Sequence, residues 1–460
     1  MAKNEKSKMM AGSMTEGTEW KLILLFTLPL MAGNVLQQLY NTVDGIIVGN
    51  YVGEAALASV GTCASLTMLF VAMAVGLSNG AAVVVSQYFG AQKMSELRRT
   101  VSTSLILFFG LGIFFTLIAL ALSRVLLHGV LNVQDYLLDD ALLYFRIYAI
   151  GLTFQFLYNI TAAILRSIGD SRATLYFLLI SSVCNILLDL VFVVLFGWGV
   201  GGVAVATVIS QCVSATVGLV YMFKKYAFLR FAKGDFRFDG SICSLVVKMG
   251  IPTMLQQCVV SFGHMATQRV INILDITAGY TAATRIESFV VIPAMCFMMG
   301  MATFTGQNLG AGKLDRISRG VKSNLIMGLL VDLLIIAIVF PLAPVLISLF
   351  GVVGSSQAVA IRYLRWCSCA LAIFTAYFCI NGVLQGAGDV KFIAFNTFSG
   401  LVIKTVFIYV CVFLTPLGVA SIWFGNIISW VYSLILSSTR YRFGPWRKKG
   451  IIQHPELTDD

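Results

Sequence analysis

Apolar residues along this chain run in long blocks and do not alternate with polar ones. A membrane-crossing helix needs about 20 consecutive apolar residues. Twelve blocks meet that length: 22–49, 56–85, 101–122, 141–165, 173–197, 199–223, 242–272, 283–305, 321–349, 360–384, 391–414 and 417–439. The longest polar connection, 224–248, carries Arg230, Lys233, Asp235, Arg237 and Asp239 and separates six spans from six. The pattern predicts an all-α polytopic membrane protein with twelve transmembrane helices in two pseudo-symmetric six-helix lobes. The expected divisions are a tail at 1–20, an N-lobe at 21–223, a linker at 224–241, a C-lobe at 242–440 and a tail at 441–460.

The two sets of spans repeat. Gln87, Gly90, Ala91, Lys93 and Arg99 return 220 positions later as Gln307, Gly310, Ala311, Lys313 and Arg319. Tyr144, Arg146, Leu165, Gly169, Asp170, Gly199, Ile209 and Ser210 return 219 positions later as Tyr363, Arg365, Leu384, Gly388, Asp389, Gly418, Ile428 and Ser429. Six is an even number, so both halves enter the membrane from the same side. Such halves are related by an axis along the membrane normal, a common plan among transporters.

Composition narrows the class. Hydrophobic residues are 58% of the 460 and charged ones 12%, against about 25% charged in a soluble domain. A soluble enzyme, a disordered chain and a disulfide-stapled module are excluded. The ten Cys lie almost all in apolar blocks and read as small buried hydrophobes. Residues 1–19 are polar and carry no signal-peptide core.

The net charge of +11 would suggest nucleic acid in a soluble protein, but its placement gives a different account. Of the 32 Lys and Arg, 25 fall in the tails and the connections after even-numbered spans, six fall on the opposite side, and Lys404 lies inside a span. The positive-inside rule then puts both termini in the cytoplasm of a multi-pass plasma-membrane protein. No nucleic-acid partner is expected, and a monomer is.

Ionisable groups within spans mark functional sites. At 1.5 Å per residue, Asp44 lies about 9 Å from the outer end of span 1, and Asp189 and Thr207 about 12 Å from the outer ends of spans 5 and 6. Asn185 is one turn from Asp189 on the same helix face. Two carboxyls in one low-dielectric site cannot both ionise cheaply, so a proton is shared, or a hard cation such as Na⁺ takes its place among the oxygens. A plain helix-to-helix hydrogen bond is the bland alternative. The repeat weighs against it, because Asp44, Asn185 and Asp189 fall on His264, Lys404 and Ile408.

Other groups are less telling. Lys404 reads as a salt-bridge or substrate-gating residue or as a snorkelling one, His264 as an interhelical group, and Asp332 has no evident partner. Arg285 and Glu287 read as pinning the outer end of span 8. Met295, Met298, Met299 and Met301 cluster in span 8 as core, or as an adaptable wall for apolar ligands. The sequence of 386–389, Gly-Ala-Gly-Asp, matches an intramembrane protease motif but lacks its Tyr-Asp partner, and it repeats the helix end at 167–170. No Walker A or HExxH motif is present. No enzymatic activity and no cofactor are expected, which leaves an ion gradient as the driving force.

Several stretches together resemble the MATE family of multidrug and toxic-compound extrusion transporters: Leu28-Pro29, the run Gln38-Leu39-Tyr40-Asn41-Thr42-Val43-Asp44, the motif at 87–93, Ile164-Leu165-Arg166-Ser167-Ile168-Gly169-Asp170 and Arg285-Ile286-Glu287-Ser288. The resemblance covers about 20–440. It implies two six-helix lobes and export of amphipathic, often cationic, small molecules in exchange for H⁺ or Na⁺ by alternating access. It also implies a hinge at Pro29, a cation site at Asp44, Asn185, Asp189 and Thr207 as in the DinF-type branch, and Gln37, Tyr40 and Asn41 beside it. The NorM-type branch places acids in the C-lobe on helices 7 and 10. Here the stretch around Val260 has none and helix 10 has Phe374. The rival expectation is a flippase or exporter of a lipid or lipid-linked precursor.

Overall fold

The structure, a computed structural model, describes residues 13–231, 236–274 and 276–452, apart from the side chains at 54, 55, 264 and 265. The side chain of His264 therefore lies outside the described residues. Every described element is helical. The first half holds α1 (Glu19–Tyr51), α2 (Glu54–Gly90), α3 (Met94–Arg124), α4 (Asp135–Ser167), α5 (Ser171–Asp189) and α6 (Gly199–Lys225). The second holds α7 (Gly240–Ile273), α8 (Thr277–Val290), α9 (Ile292–Gly310), α10 (Leu314–Ser348), α11 (Gly354–Cys369), α12 (Leu371–Ala387), α13 (Val390–Leu414) and α14 (Ser421–Phe443).

Among the described residues, eleven stretches are long and apolar enough to cross a membrane, and α11 with α12, bent by 48°, makes a twelfth. The stretch Thr277–Gly310 is one crossing made of α8 and α9. Its joint coincides with Pro293 in the first turn of α9, where a missing N–H costs nothing.

The chain forms two compact units. The first holds Ala32–Val85 and Lys93–Met254, and the second holds Ser13–Met31, Ser86–Gln92 and the residues from Leu255 onward. The chain passes between them inside α1, two residues after Pro29, inside α2 at Val85 and back at Gln92, and inside α7, two residues after Pro252. Each proline removes one helical hydrogen bond and crowds the preceding turn. The core of the first unit packs α2, α4 and α6 through residues such as Phe70, Phe145, Leu152 and Val203. The second has two cores, one around Val270, Tyr363 and Trp423 and one around Phe26, Phe297 and Phe304.

The repeated Gln-x-x-Gly-Ala motif has a packing cause. A Cβ on Gly90 would run into the carbonyl oxygen of Gln307, and one on Gly310 into that of Gln87. The ends of α2 and α9 thus approach backbone to backbone, which small residues permit. Both glutamines are fully buried. Gln307 Oε1 accepts from the backbone N–H of Met14 at 2.7 Å, and Gln87 Oε1 from that of Ile451 at 2.6 Å.

The repeated Gly-Asp pair ends α4 and α12. Gly169 and Gly388 sit at φ +92° and +87°, the left-handed region that glycine tolerates. Asp170 accepts from Ala173 N, Tyr221 Oη, Lys225 Nζ and Tyr226 Oη, and Asp389 receives both arms of Arg440. Both aspartates are structural clamps, and the protease-like motif is one of them. Burial would raise the Asp170 carboxyl, but hydrogen bonds from Lys225 and Tyr226 and the lysine charge outweigh it and hold the group below the usual carboxylate range.

Candidate functional site

Three helices of the first unit converge on the acids of spans 1 and 5. Tyr40 and Asp44 are four residues apart on α1 and share a face, as do Asn185 and Asp189 on α5. Asn185 and Asp189 are essentially fully buried, and Asp44 is half-buried. The amide orientation that satisfies Asn185 donates from its nitrogen to Tyr40 Oη and to Asp189 Oδ2, each at 2.9 Å, and puts its oxygen 3.2 Å from the backbone nitrogen of Thr207 on α6. The carboxyls of Asp44 and Asp189 are within hydrogen-bonding reach of each other.

Two carboxyls can share such a bond only if one carries a proton. Oδ1 of each is buried with no donor facing it. The Thr207 hydroxyl donates to Val203 O at 3.0 Å, which leaves its oxygen free to accept. This set of hard oxygens suits a proton or a small alkali cation.

The structure therefore brings together Asp44, Asn185, Asp189, Thr207 and Tyr40. Gln37 donates to Asn41 at 3.3 Å, and Asn41 to Gln38 at 3.5 Å. These amides line α1, and among the described residues no hydrogen bond joins them to the acids. A feature the sequence did not reveal lies directly after Asp189. The helix continues there as a π-helical turn, Leu190–Leu195, with Phe196 N bonded to Val191 O at 3.0 Å. Such turns are rare and are frequent at functional sites.

The methionines of α9 separate. Met301 is fully buried in the core, Met298 and Met299 are half-buried, and Met295 is exposed. Asp332 has a partner after all. It is 2% exposed, and its Oδ1 accepts from Thr375 Oγ1 at 3.0 Å.

Glu287, expected to pin span 8, is bonded to a neighbouring helix. Its Oε2 accepts from Tyr363 Oη at 2.7 Å, and Tyr363 Oη accepts from Asn426 Nδ2 at 3.2 Å. Lys404 is within electrostatic reach of the same group. The available signal was the repeat itself, since Tyr363 and Asn426 stand 219 positions after Tyr144 and Thr207.

The MatE family model matches residues 29–191 and again 252–410, once in each half. The chain is similar to the probable multidrug resistance protein YpnP of Bacillus subtilis (strain 168), with 28% identity over 446 residues that cover 95% of this chain and 98% of that protein. It is also similar to solved structures of MATE in the straight conformation and of an outward-facing multidrug resistance MATE family transporter of the MOP superfamily. Each shares 25% identity at a TM-score of 0.87, covering 95% of this chain and 98% of theirs. The two family matches together span well over half of the chain, and the chain belongs to the MatE family: it is a membrane transport protein and not an enzyme.

Proposed function

We propose that the chain exports amphipathic, often cationic, small molecules as a secondary antiporter in exchange for H⁺ or Na⁺, with the ion held by Asp44, Asn185, Asp189 and Thr207. Multidrug export is supported by the relative's name and by the outward-facing neighbour. The ion site rests on one observation, the convergence of two acids, each with an oxygen lacking a donor, from α1 and α5. Ion binding replaces the shared proton and changes the partners of Asp44. Asp44 lies on the same helix as Pro29, fifteen residues further along. A change of partner at Asp44 biases which form of α1 is populated, and so which side of the membrane the substrate path meets. The surplus of Lys and Arg at the tails supports cytoplasmic termini.

The test is drug efflux from inverted vesicles with a Na⁺ gradient and a pH gradient imposed separately. One of the two gradients should drive efflux in the unmodified protein. Uphill efflux that needs neither gradient overturns the reading.

A further inference from the structure

A helix can bend at a proline only if one of its arms is held. The arm of α1 before the hinge, Glu19–Met31, belongs to the second unit, and the arm from Ala32 onward, which carries Asp44, belongs to the first. What holds the first arm begins ahead of the helix. Met14 is 3% exposed and lies in the core around Phe26, Phe297 and Phe304. Its N–H donates to Gln307 Oε1 at 2.7 Å, and its carbonyl accepts from Asn308 Nδ2 at 3.1 Å. Thr15 O accepts from Lys313 Nζ at 3.1 Å.

Arg316, near the start of α10, is the centre of this anchorage. Its Nη2 donates to Gly17 O at 3.0 Å and to Met14 O at 3.4 Å, and its Nε donates to Asn308 Oδ1 at 3.0 Å. Its Nη1 pairs with Glu19, the first residue of α1, at 3.4 Å, and both side chains are largely buried. Arg319 donates to the same carboxylate at 3.0 Å. All of these groups lie in the second unit. The guanidinium reads backbone carbonyls on one side and the carboxylate on the other, so it fixes the path of the chain into the helix.

The repeat supplies the contrast. Glu19 returns 220 positions on as Asp239, ahead of α7, but Glu96 stands where Arg316 would recur. The described residues ahead of α7 are held to α3 by hydroxyls, with Ser102 Oγ donating to Arg237 O at 3.0 Å and Thr103 Oγ1 accepting from Asp239 N at 3.1 Å. A foot needed only for folding would recur in kind. The guanidinium clamp is confined to the helix that carries both Pro29 and Asp44.

We infer that Arg316 is a positioning residue for the transport step. It clamps the foot of α1 to the second unit, so that a change of partner at Asp44 bends α1 at Pro29 and does not shift the helix as one rod. This deepens the proposed antiport and rests on it for the role of Asp44.

The experiment is hydrogen–deuterium exchange on the purified full-length protein, read in peptides covering 13–31 and 32–51. The protein is compared with and without Na⁺, at high and low pH, and with and without ethidium as the probe cation. In the wild type, exchange in 32–51 should follow these conditions, while 13–31 stays equally slow in all of them. In Arg316→Met, exchange in 13–31 should rise, and uphill ethidium efflux from proteoliposomes should fall, each by about tenfold or more for the loss of bonds to a charged group. Affinities for the ion and for ethidium should stay within about twofold, as expected of sites that share no partner. Lys322→Met, which removes an exposed charge from the same helix, should match the wild type in every measurement.

Wild-type efflux in a folded Arg316→Met overturns the inference, as does slow exchange of 13–31 in that variant. A parallel loss of ion or ethidium affinity overturns it too, since the clamp would then only hold the fold. If Arg316→Met does not fold, Glu19→Gln decides: it keeps the backbone bonds, and unchanged exchange and efflux there overturn the inference. A wild type whose efflux needs no gradient overturns the antiport instead, and the response of the two arms to ethidium still reads the clamp.

Discussion

Replacing Asp189 by Asn removes one carboxylate while keeping the shape of the side chain. In the structure this group is fully buried, accepts from Asn185 at 2.9 Å and faces Asp44. The amide still accepts from Asn185, so the fold loses only the difference between a charge-assisted and a neutral hydrogen bond, about 1 kcal/mol. The exchanged ion loses more. Withdrawing one partner from a buried charge pair costs about 3–5 kcal/mol, and at ~1.4 kcal/mol per decade ion affinity should fall by a factor of roughly 10² to 4 × 10³.

Driving a two-state helix from 1:99 to 99:1 takes about 5.5 kcal/mol. A loss of this size leaves too little to switch α1. The expected outcome is a folded, monodisperse protein that binds substrate and no longer exports it against a gradient. Asp44→Asn should behave in the same way. The assay is dye efflux from proteoliposomes with Na⁺ and pH gradients imposed in turn, beside substrate binding measured without a gradient. Wild-type uphill efflux in both variants would refute the reasoning, and the acid pair would then be an interhelical bond only.

Pro29→Ala restores a helical hydrogen bond and relieves a clash together worth ~3 kcal/mol, so transport should drop at least tenfold while substrate binding holds. Export at the wild-type rate would mean that the lobes rock as rigid bodies. Asp170→Asn tests the clamp on α6: the carboxyl is held below its unfolded value, so its stabilisation is present above about pH 4 and fades as pH falls through the folded value. The unfolding midpoints of wild type and variant should therefore converge on acidification, and a gap independent of pH would sink the assignment. Gly90→Ala drives a Cβ into the Gln307 carbonyl and should cost about 1–3 kcal/mol. Gly110→Ala, with open space around it, should be neutral or slightly stabilising in a thermal melt, and equal losses in both would count against the close approach.

Most of the fold was legible because the bilayer imposes one rule, that each crossing be a long apolar helix, and the sequence obeys it twelve times. Depth along such helices is also legible at 1.5 Å per residue, which is why Asp44, Asp189 and Thr207 could be assigned to one level before their contacts were known. Rotation about the helix axis is not legible in this way. Gln37 and Asn41 form a row of their own at four-residue spacing and bond along it, because three residues fall about 60° short of a full turn and set that row beside the row of Tyr40 and Asp44. The π-helical turn after Asp189 was equally hidden, since nothing in Leu-Val-Phe-Val-Val-Leu differs from an ordinary apolar helix. The break between α11 and α12 at Ala370 carries no proline to announce it.

Glu287 shows the limit of reading function from the repeat. The positions equivalent to Asp44 and Asp189 hold His264 and Ile408, so the repeat by itself points to no acidic pair in the second half. The second half kept the polar shell, Tyr363 and Asn426, and took its acid from α8, at a position whose counterpart in the first half is Thr67. What the two halves share is a set of backbone positions where three helices bring polar side chains to one point. Which of those positions carries charge, and of which sign, is free to differ, because any arrangement that leaves the buried charge compensated is tolerated. Among the described side chains, the first half places a carboxyl pair there and the second a single carboxyl, Glu287, held by the Tyr363 hydroxyl, so one backbone plan supports two different arrangements of buried charge.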